Sequence, residues 1–566
     1  MATVAVQPPR AGPAADRPDG LALTYHRLML MMLLFLGVTT LIVGRLLYLQ
    51  VFTDRSGAAQ IGNPLVPPRA DIVDRNGVTL ARTIEAWSIA VHPRRLLGNP
   101  NELAMKLAEL MPERSPRDWR ALLTRDVNFV YLSRRAMPEL VAAVNALGEP
   151  AIVFAREPER LYPQTQLAGH VLGWTDFDGA GVAGMERALE DRLTSPEGRG
   201  RPVALSIDSR VQAVMEAELG AQVDKHSAEG GTGIVLDVRT GELMALASFP
   251  TFNPNAAGRS DPDAQYNRAT MGVYELGSTF KPLTVAAALD AGTIRSLSQR
   301  YDASSGLPIG RFRISDYKGK NRPLNVAETL VHSSNIATAR IADELGLERL
   351  QASFRALGFD TAPPLELAER SRPLWPREWS RATLLTSSYG HGVAITPLQL
   401  ASAYAALVNG GVWRPATLLK RDGPPPEGRQ VYSPETSYKL RQMLRLVALH
   451  GSGKRGDAPG FRVGGKTGTA EKITTGGGYS RKVNVSTFAA AFPMDDPRYV
   501  VIVMLDAPKA TADTFGYTTA GWVSAPVVHR VVSRAGPLLG VIPDARRDID
   551  VSGLLPLIGV QPTPGR

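Results

Sequence analysis

The pattern of apolar and polar positions divides the chain before any motif is considered. Leu28 to Gly44 is apolar apart from Thr39 and Thr40, and Leu46 to Phe52 extends it past Arg45 to the roughly 20 residues a bilayer core requires. The exit, Arg45-Leu46-Leu47-Tyr48-Leu49-Gln50, lacks a small-x-small cleavage site, so residues 21–52 read as an uncleaved transmembrane anchor. Residues 1–20, rich in Pro, Ala and Gly, read as a disordered tail. After a connector bearing Pro64, Pro67 and Pro68, Asn76-Gly77 between β-prone runs predicts a hairpin over Asp71 to Leu80. Short strands and amphipathic helices continue to about residue 198, among them Glu102 to Met111 and Met137 to Leu147, with no catalytic constellation. Residues 53–198 therefore read as a non-catalytic pedestal for scaffolding or docking.

The texture changes near Gly198-Arg199-Gly200. Ala204 to Asp208 predicts a strand, Ser209 to Leu219 an amphipathic helix, and Gly233 to Asp237 a hairpin with Glu242 to Ser248. A further strand is expected over Val485 to Phe492. Strands, then helices, then late strands indicate an α+β domain over residues 199–546, an antiparallel sheet flanked by helices. Residues 547–566, with Pro556, Pro562 and Pro564, read as a tail without an assignable role.

Composition narrows the chemistry. With no cysteine, disulfides, iron–sulfur clusters and thiolate zinc sites are excluded. The net charge of +10 comes with no nucleic-acid motif and no long basic run, so nucleic acid is not an expected partner; the bias suits an anionic membrane or an acidic wall polymer. His332 and His391 read as structural, and neither metal nor cofactor is expected.

The candidate chemistry begins at Tyr274-Glu275-Leu276-Gly277-Ser278-Thr279-Phe280-Lys281-Pro282. Gly277 offers a turn and Pro282 suits a first helical turn, so a helix should start near Ser278 and stop at Asp290-Ala291-Gly292. Residues three apart share a helix face, which would set Lys281 directly beside Ser278, close enough to take its proton. The pattern alone is weak, because Ser315-Asp316-Tyr317-Lys318 repeats it; there Gly319, Lys320, Asn321, Arg322 and Pro323 come next, and no buried helix can open.

Two further motifs give the first one its meaning. Ser333-Ser334-Asn335 interrupts helical patterns over Val326 to Val331 and Ile336 to Leu345; a hydroxyl there can relay a proton and an amide can hold a carbonyl, or the group can simply cap the second helix. Lys466-Thr467-Gly468-Thr469 reads as a strand edge with lysine and threonine pointing one way to bind a carboxylate, glycine admitting a substrate backbone. Gly460 to Thr467 also matches a phosphate loop, but Lys454 to Pro459 stand where a buried strand is needed, and Gly468 where a helix should open.

Ser-x-x-Lys, Ser-x-Asn and Lys-Thr-Gly in this order, separated by 55 and 133 residues, form the signature of penicillin-binding proteins and serine β-lactamases. Over residues 28 to 546 the chain resembles the monofunctional, class B penicillin-binding proteins, in particular the division-specific type called penicillin-binding protein 3. Further points of likeness are Asp74-Arg75-Asn76-Gly77, Thr396-Pro397-Leu398-Gln399 and Ala525-Pro526-Val527. It departs in Leu276, where the family often has proline, and in Ala520-Gly521, where it often has Gly-Gly.

The resemblance implies a D,D-transpeptidase of septal wall synthesis. Ser278 would attack a peptidoglycan stem peptide ending in D-Ala-D-Ala with Lys281 as base, Ser333 would pass the proton to the leaving amine, and Asn335 would hold the acyl side. Lys466 and Thr467 would bind the terminal carboxylate along a strand through Gly468 and Thr469, the backbone N–H groups of Ser278 and Thr469 would form the oxyanion hole, and β-lactams would acylate Ser278. It also implies a single pass of the bacterial inner membrane through residues 28–52 with a periplasmic catalytic domain. A polytopic glycosyltransferase of the shape, elongation, division and sporulation (SEDS) family and other divisome proteins would be partners, since the region before residue 198 lacks a Glu-Asp-x-x-Phe-type motif. A β-lactamase or β-lactam receptor shares the motifs without the anchor, and a silent assembly protein would not require Ser278 beside Lys281.

Overall fold

The computed structural model describes residues 20–52, 68–310, 312–473 and 479–561; the tail expected before Gly20, most of the proline-bearing connector and residues 562–566 lie outside them. The first of two units ends at Val66, and its described part is one helix, α1 (Gly20–Phe52). Its Arg27–Arg45 stretch has a mean hydropathy of 2.1, long and apolar enough to cross a membrane. Residues 28–43 are all exposed, an apolar surface broken only at Thr39 and Thr40, of the kind that lipid or another helix covers.

The second unit begins at Pro67. As Asn76-Gly77 predicts, β1 (Ile72–Val73) turns back on β2 (Thr79–Val91), which pairs in turn with β3 (Val130–Ala136) and β4 (Ile152–Leu161). Helices Pro100–Leu110, Pro116–Leu123 and Pro138–Asn145, each opened by proline, bury Leu107 and Trp119 against Ile89 and Val91. The Asp74 carboxylate joins this layer to the helix that opens at Ser209. It accepts the N–H groups of Asn76 and Val78 at 2.8 and 2.9 Å, and the N–H and hydroxyl of Ser209 at 3.0 and 2.7 Å.

The strand expected through Asp208 is shorter than its pattern. β5 (Val203–Ala204) adds in parallel to β1; beyond it Leu205 N still donates to the carbonyl of Val73 at 2.8 Å, but Ser206 N turns to the carbonyl of Leu418, and the Asp208 side chain caps helix α2 (Ser209–Lys225) by accepting the N–H of Arg210.

The sheet that carries the site has the order β8-β9-β10-β6-β7, all antiparallel, from β6 (Gly230–Asp237), β7 (Leu243–Phe249), β8 (Gly464–Ile473), β9 (Tyr479–Phe492) and β10 (Tyr499–Asp506). The expected hairpin is β6–β7. Both faces are covered, so β10 reads as an unbroken apolar run. Val501, Val503 and Leu505 meet α2 and the helix Ala525–Ala535 on one face, while Val500, Ile502 and Met504 belong to the core of the other face. There the helices α3 (Lys281–Asp290), α4 (Val326–Val331), α5 (Asn335–Leu345), α6 (Pro397–Val408) and α7 (Pro434–His450) gather. Edge strand β8 is left beside the turn that opens α3.

The C-terminal segment is docked on this core. Asp548 pairs with the buried Arg445 of α7, the carbonyl of Asp550 accepts from Gln442, and the carbonyl of Leu557 accepts from Asn325 at 2.6 Å.

Candidate active site

Ser278 lies in a 3-10 turn, Gly277–Phe280, from which α3 continues at Lys281. The turn requires the positive φ of Gly277, 55°. Its geometry is held from below, where the buried Tyr404 hydroxyl of α6 donates to the carbonyl of Thr279 at 2.8 Å. Gly468 allows β8 to press against the same turn: a Cβ there would stand 2.3 Å from the carbonyl oxygen of Leu276.

Lys281 makes no direct hydrogen bond to Ser278. Its Nζ donates to the carbonyl of Ser333 at 2.5 Å and to the Ser333 hydroxyl at 3.2 Å, and that hydroxyl lies 3.1 Å from Ser278 Oγ. Lys466 Nζ donates to the same hydroxyl at 2.9 Å. Ser333 Oγ is thus the hub of nucleophile and both lysines. It reaches this place because Ser333 adopts a left-handed φ of 57° as the reversal between α4 and α5. The capping role weighed for the motif falls to Ser334, whose hydroxyl accepts the N–H of Ala337 at 3.1 Å.

Both lysines are fully buried. Desolvation, and next the charge of Lys466, hold Lys281 well below the usual lysine range against the opposing pull of Asp316; desolvation brings Lys466 to about 7. A neutral amine at Lys281 is the form that accepts a proton. Burial first and the Lys281 charge second bring His391 to about 4, so it stands neutral behind the site, while His332 is lowered chiefly by burial.

Lys466 and Thr467 do not point one way, because successive strand residues alternate. Lys466 turns inward to Ser333, whereas Thr467 Oγ1 is hydrogen-bonded to Ser452 Oγ, and Thr469 Oγ1 accepts the N–H of Ala520 at 3.1 Å, its own proton free for a ligand. The alanine that departs from the family pattern keeps the N–H that matters. A Cβ on Gly277 would come 3.0 Å from the carbonyl of Thr469, so the Ser278 turn and Thr469 face each other closely. Lys466-Thr467 sits inside a strand, which removes the phosphate-loop reading.

Sequence reasoning missed three residues. It set aside Ser315-x-x-Lys318 as a failed repeat, yet the Asp316 carboxylate accepts the Ser334 hydroxyl at 2.7 Å and the N–H groups of Asn335 and Ile336 at 2.6 and 3.1 Å, and the carbonyl of Ser315 accepts Asn335 Nδ2 at 2.9 Å. Asp316 stands 19 residues before the helix it caps, so the local pattern carried no signal for it. Ser452 and Tyr404 carried none.

Two family models match: a penicillin binding protein transpeptidase domain over residues 231–533 and a penicillin-binding protein dimerisation domain over residues 64–202. The chain is 40% identical over 483 residues to a probable peptidoglycan D,D-transpeptidase FtsI of Caulobacter vibrioides, covering 84% of this chain and 82% of that one. It is 31% identical over 446 residues to the peptidoglycan D,D-transpeptidase FtsI of Escherichia coli K12, covering 74% of each. The crystal structure of penicillin binding protein 3 from Mycobacterium tuberculosis complexed with aztreonam superposes with a TM-score of 0.67 at 26% identity, over 85% of this chain and 98% of that one. With the α+β fold, the three motifs assembled around one hydroxyl and both family domains present, the chain belongs to the class B penicillin-binding proteins.

Proposed function

We propose that this protein is a membrane-anchored peptidoglycan D,D-transpeptidase of septal wall synthesis, acting on stem peptides that end in D-Ala-D-Ala and inactivated by β-lactams. The observation that carries the reading is the unbroken path Ser278 Oγ, Ser333 Oγ, Lys281 Nζ, with Lys466 on the same hydroxyl.

The hydrogen bonds of Ser333 support a proton path through its hydroxyl. As Ser278 Oγ bonds to the penultimate carbonyl carbon, its proton passes to Ser333 Oγ, and the Ser333 proton passes to neutral Lys281. The developing oxyanion is met by the N–H groups of Ser278 and Thr469. When the C–N bond breaks, Ser333 protonates the departing D-Ala and recovers a proton from Lys281. An acceptor amine then attacks the acyl-enzyme by the reverse path, closing the cross-link. Asn335, fixed by Ser315 and Asp316, holds the acyl-side amide, and the hydroxyls of Thr467 and Thr469 hold the terminal carboxylate, with the positive charge of Lys466 acting from the inner side of the strand.

Residues 53–198 serve as the pedestal and residues 199–546 as the catalytic domain, in the periplasm, with α1 in the inner membrane. The small-residue face of α1 at Gly37, Thr40 and Gly44 meets a SEDS-family glycosyltransferase, which supplies the glycan strands among the divisome partners. Fluorescent penicillin tests the reading on the full chain in detergent. A stable adduct in wild type that is lost in Ser278→Ala supports acyl transfer at Ser278; fast turnover indicates a β-lactamase, and no adduct on folded protein returns the chain to an assembly role.

A further inference from the structure

The two threonines proposed to take the terminal carboxylate each lead to a segment with no part in the chemistry described so far. Thr467 Oγ1 is hydrogen-bonded to Ser452 Oγ, which runs into the 3-10 turn Lys454–Gly456, and Thr469 Oγ1 accepts the N–H of Ala520, which opens the turn that carries Trp522. These segments touch, since a Cβ on Gly521 would stand 2.7 Å from the carbonyl of Ser452. Arg455 of the first lies over the ring of Trp522 of the second, 3.4 Å from its centroid. Tyr517 stacks on Trp522 with centroids 5.5 Å apart and 13° between the planes, and Lys318 Nζ lies 5.6 Å from the Tyr517 centroid. Lys318 follows Asp316, the residue bonded to Asn335, so cation, ring, ring and cation succeed one another from the Ser-x-Asn side of the site to the Lys-Thr-Gly side.

A guanidinium lying on an aromatic face is fixed in place without being neutralised. Arg455 is exposed and has no acidic partner among the described residues: Asp457 pairs with Arg445 at 2.7 Å, and Asp513 pairs with Lys225 at 2.6 Å. A held, uncompensated charge therefore stands beside the hydroxyls of Thr467 and Thr469. What passes there follows from the symmetry of the reaction, and this step rests on the transpeptidase reading. The departing D-Ala draws its amine away from the acyl carbon and its carboxylate away from the threonines. The acceptor amine comes in along the same track, with a carboxylate on its own D-centre for the same hydroxyls. The remainder of the acceptor strand, which D-Ala lacks, has to run past the segments that flank those hydroxyls, where Arg455 stands.

We propose that Arg455, held on Trp522, selects the acceptor: it pairs with an acidic group of the acceptor strand beyond the reacting D-centre, and so favours the amine over water at the acyl-enzyme. In the step it favours, the acceptor nitrogen bonds to the acyl carbon, the bond from that carbon to Ser278 Oγ breaks, and a proton of the amine returns to Ser278 through Ser333.

The test uses the full chain in detergent with N-benzoyl-D-alanyl thioglycolate as donor, transferred and hydrolysed products being separated by chromatography. Two acceptors of equal length are compared, D-2-aminoadipate with an acidic tail and D-norleucine with a neutral one. Wild type should favour the aminoadipate at least about threefold, the size of a good exposed arginine–carboxylate pair, and Arg455→Gln should abolish the preference. Arg455→Glu should instead favour D-Nε-trimethyllysine, whose cationic tail cannot itself attack, over D-norleucine; this gain separates charge recognition from damage to the site. Equal use of the two acceptors by wild type, hydrolysis alone, or a preference that survives in Arg455→Gln overturns the proposal. Fluorescent penicillin on the same samples distinguishes the two levels: an adduct without acceptor preference fails Arg455 alone, whereas no adduct in folded wild type fails the transpeptidase reading with it.

Discussion

The Cα of Gly468 lies so close to the carbonyl oxygen of Leu276 that a side chain at 468 would have to displace backbone: the oxygen stands 2.3 Å and Thr279 Cγ2 2.8 Å from an added Cβ. Gly468→Ala should therefore move β8 off the Ser278 turn while leaving the fold intact. A displacement of about 1 Å costs on the order of 100-fold in rate at a preorganised site. Acylation by fluorescent penicillin should fall by about that factor with an unchanged circular dichroism spectrum; a change below about threefold would refute the contact.

The two buried lysines predict a bell-shaped pH dependence of acylation efficiency. The rate rises as pH climbs through the lowered pKa of Lys281, because only its neutral form accepts the proton. It falls as pH climbs past about 7, because only protonated Lys466 holds the carboxylate. Lys466→Gln removes the charge that depresses Lys281, so the rising limb should move to higher pH and the falling limb should vanish. Stopped-flow acylation across pH checks both limbs.

Asp316 caps α5 with a charge, so Asp316→Asn should loosen Asn335 and Ser334. A lost charged cap costs about 1 kcal/mol, enough to lower the melting temperature by a few degrees. Asp316 also opposes the lowering of Lys281, and its neutralisation should shift the rising limb of the pH profile to lower pH. That shift separates a positioning role from mere destabilisation.

Truncation after Arg547 removes Asp548 from Arg445, whose side chain is 8% exposed, leaving Asp457 as its remaining acidic partner. Breaking one side of a buried ion pair costs about 3–5 kcal/mol when nothing else compensates, and Asp457 limits that to about half. Differential scanning fluorimetry should show a clear drop in melting temperature, and an unchanged one would make the C-terminal segment dispensable.

Replacing Gly37 and Gly44 of α1 with leucine should weaken co-purification of a polytopic glycosyltransferase and leave penicillin binding intact; neither position has a neighbour that an added Cβ would meet. Equal recovery of the partner would remove this face from consideration.

Much of this was legible because each motif is local. Ser-x-x-Lys needs one turn, and the hairpins at Asn76-Gly77 and Arg239-Thr240-Gly241 need only their own residues, so these elements stand where the sequence places them. What sequence could not supply is long-range. Nothing near Ser278 says that Ser333 will come between it and Lys281, because that depends on how α4 and α5 pack beside α3. The role of Asp316 was hidden for the same reason, since its partners are 18 to 20 residues away. Asp548 lies in a proline-bearing segment with no periodicity, and its partner is 103 residues earlier.

Ser333 occupies a backbone region that glycine enters freely and serine enters at a cost of about 1 kcal/mol or more. A library sorted for thermal tolerance alone would enrich glycine there, and a library sorted for wall synthesis would discard it, because the hydroxyl that joins Ser278 to Lys281 would be gone. The two selections pull the same codon in opposite directions, so heat resistance gained at this position marks a clone that has lost its chemistry.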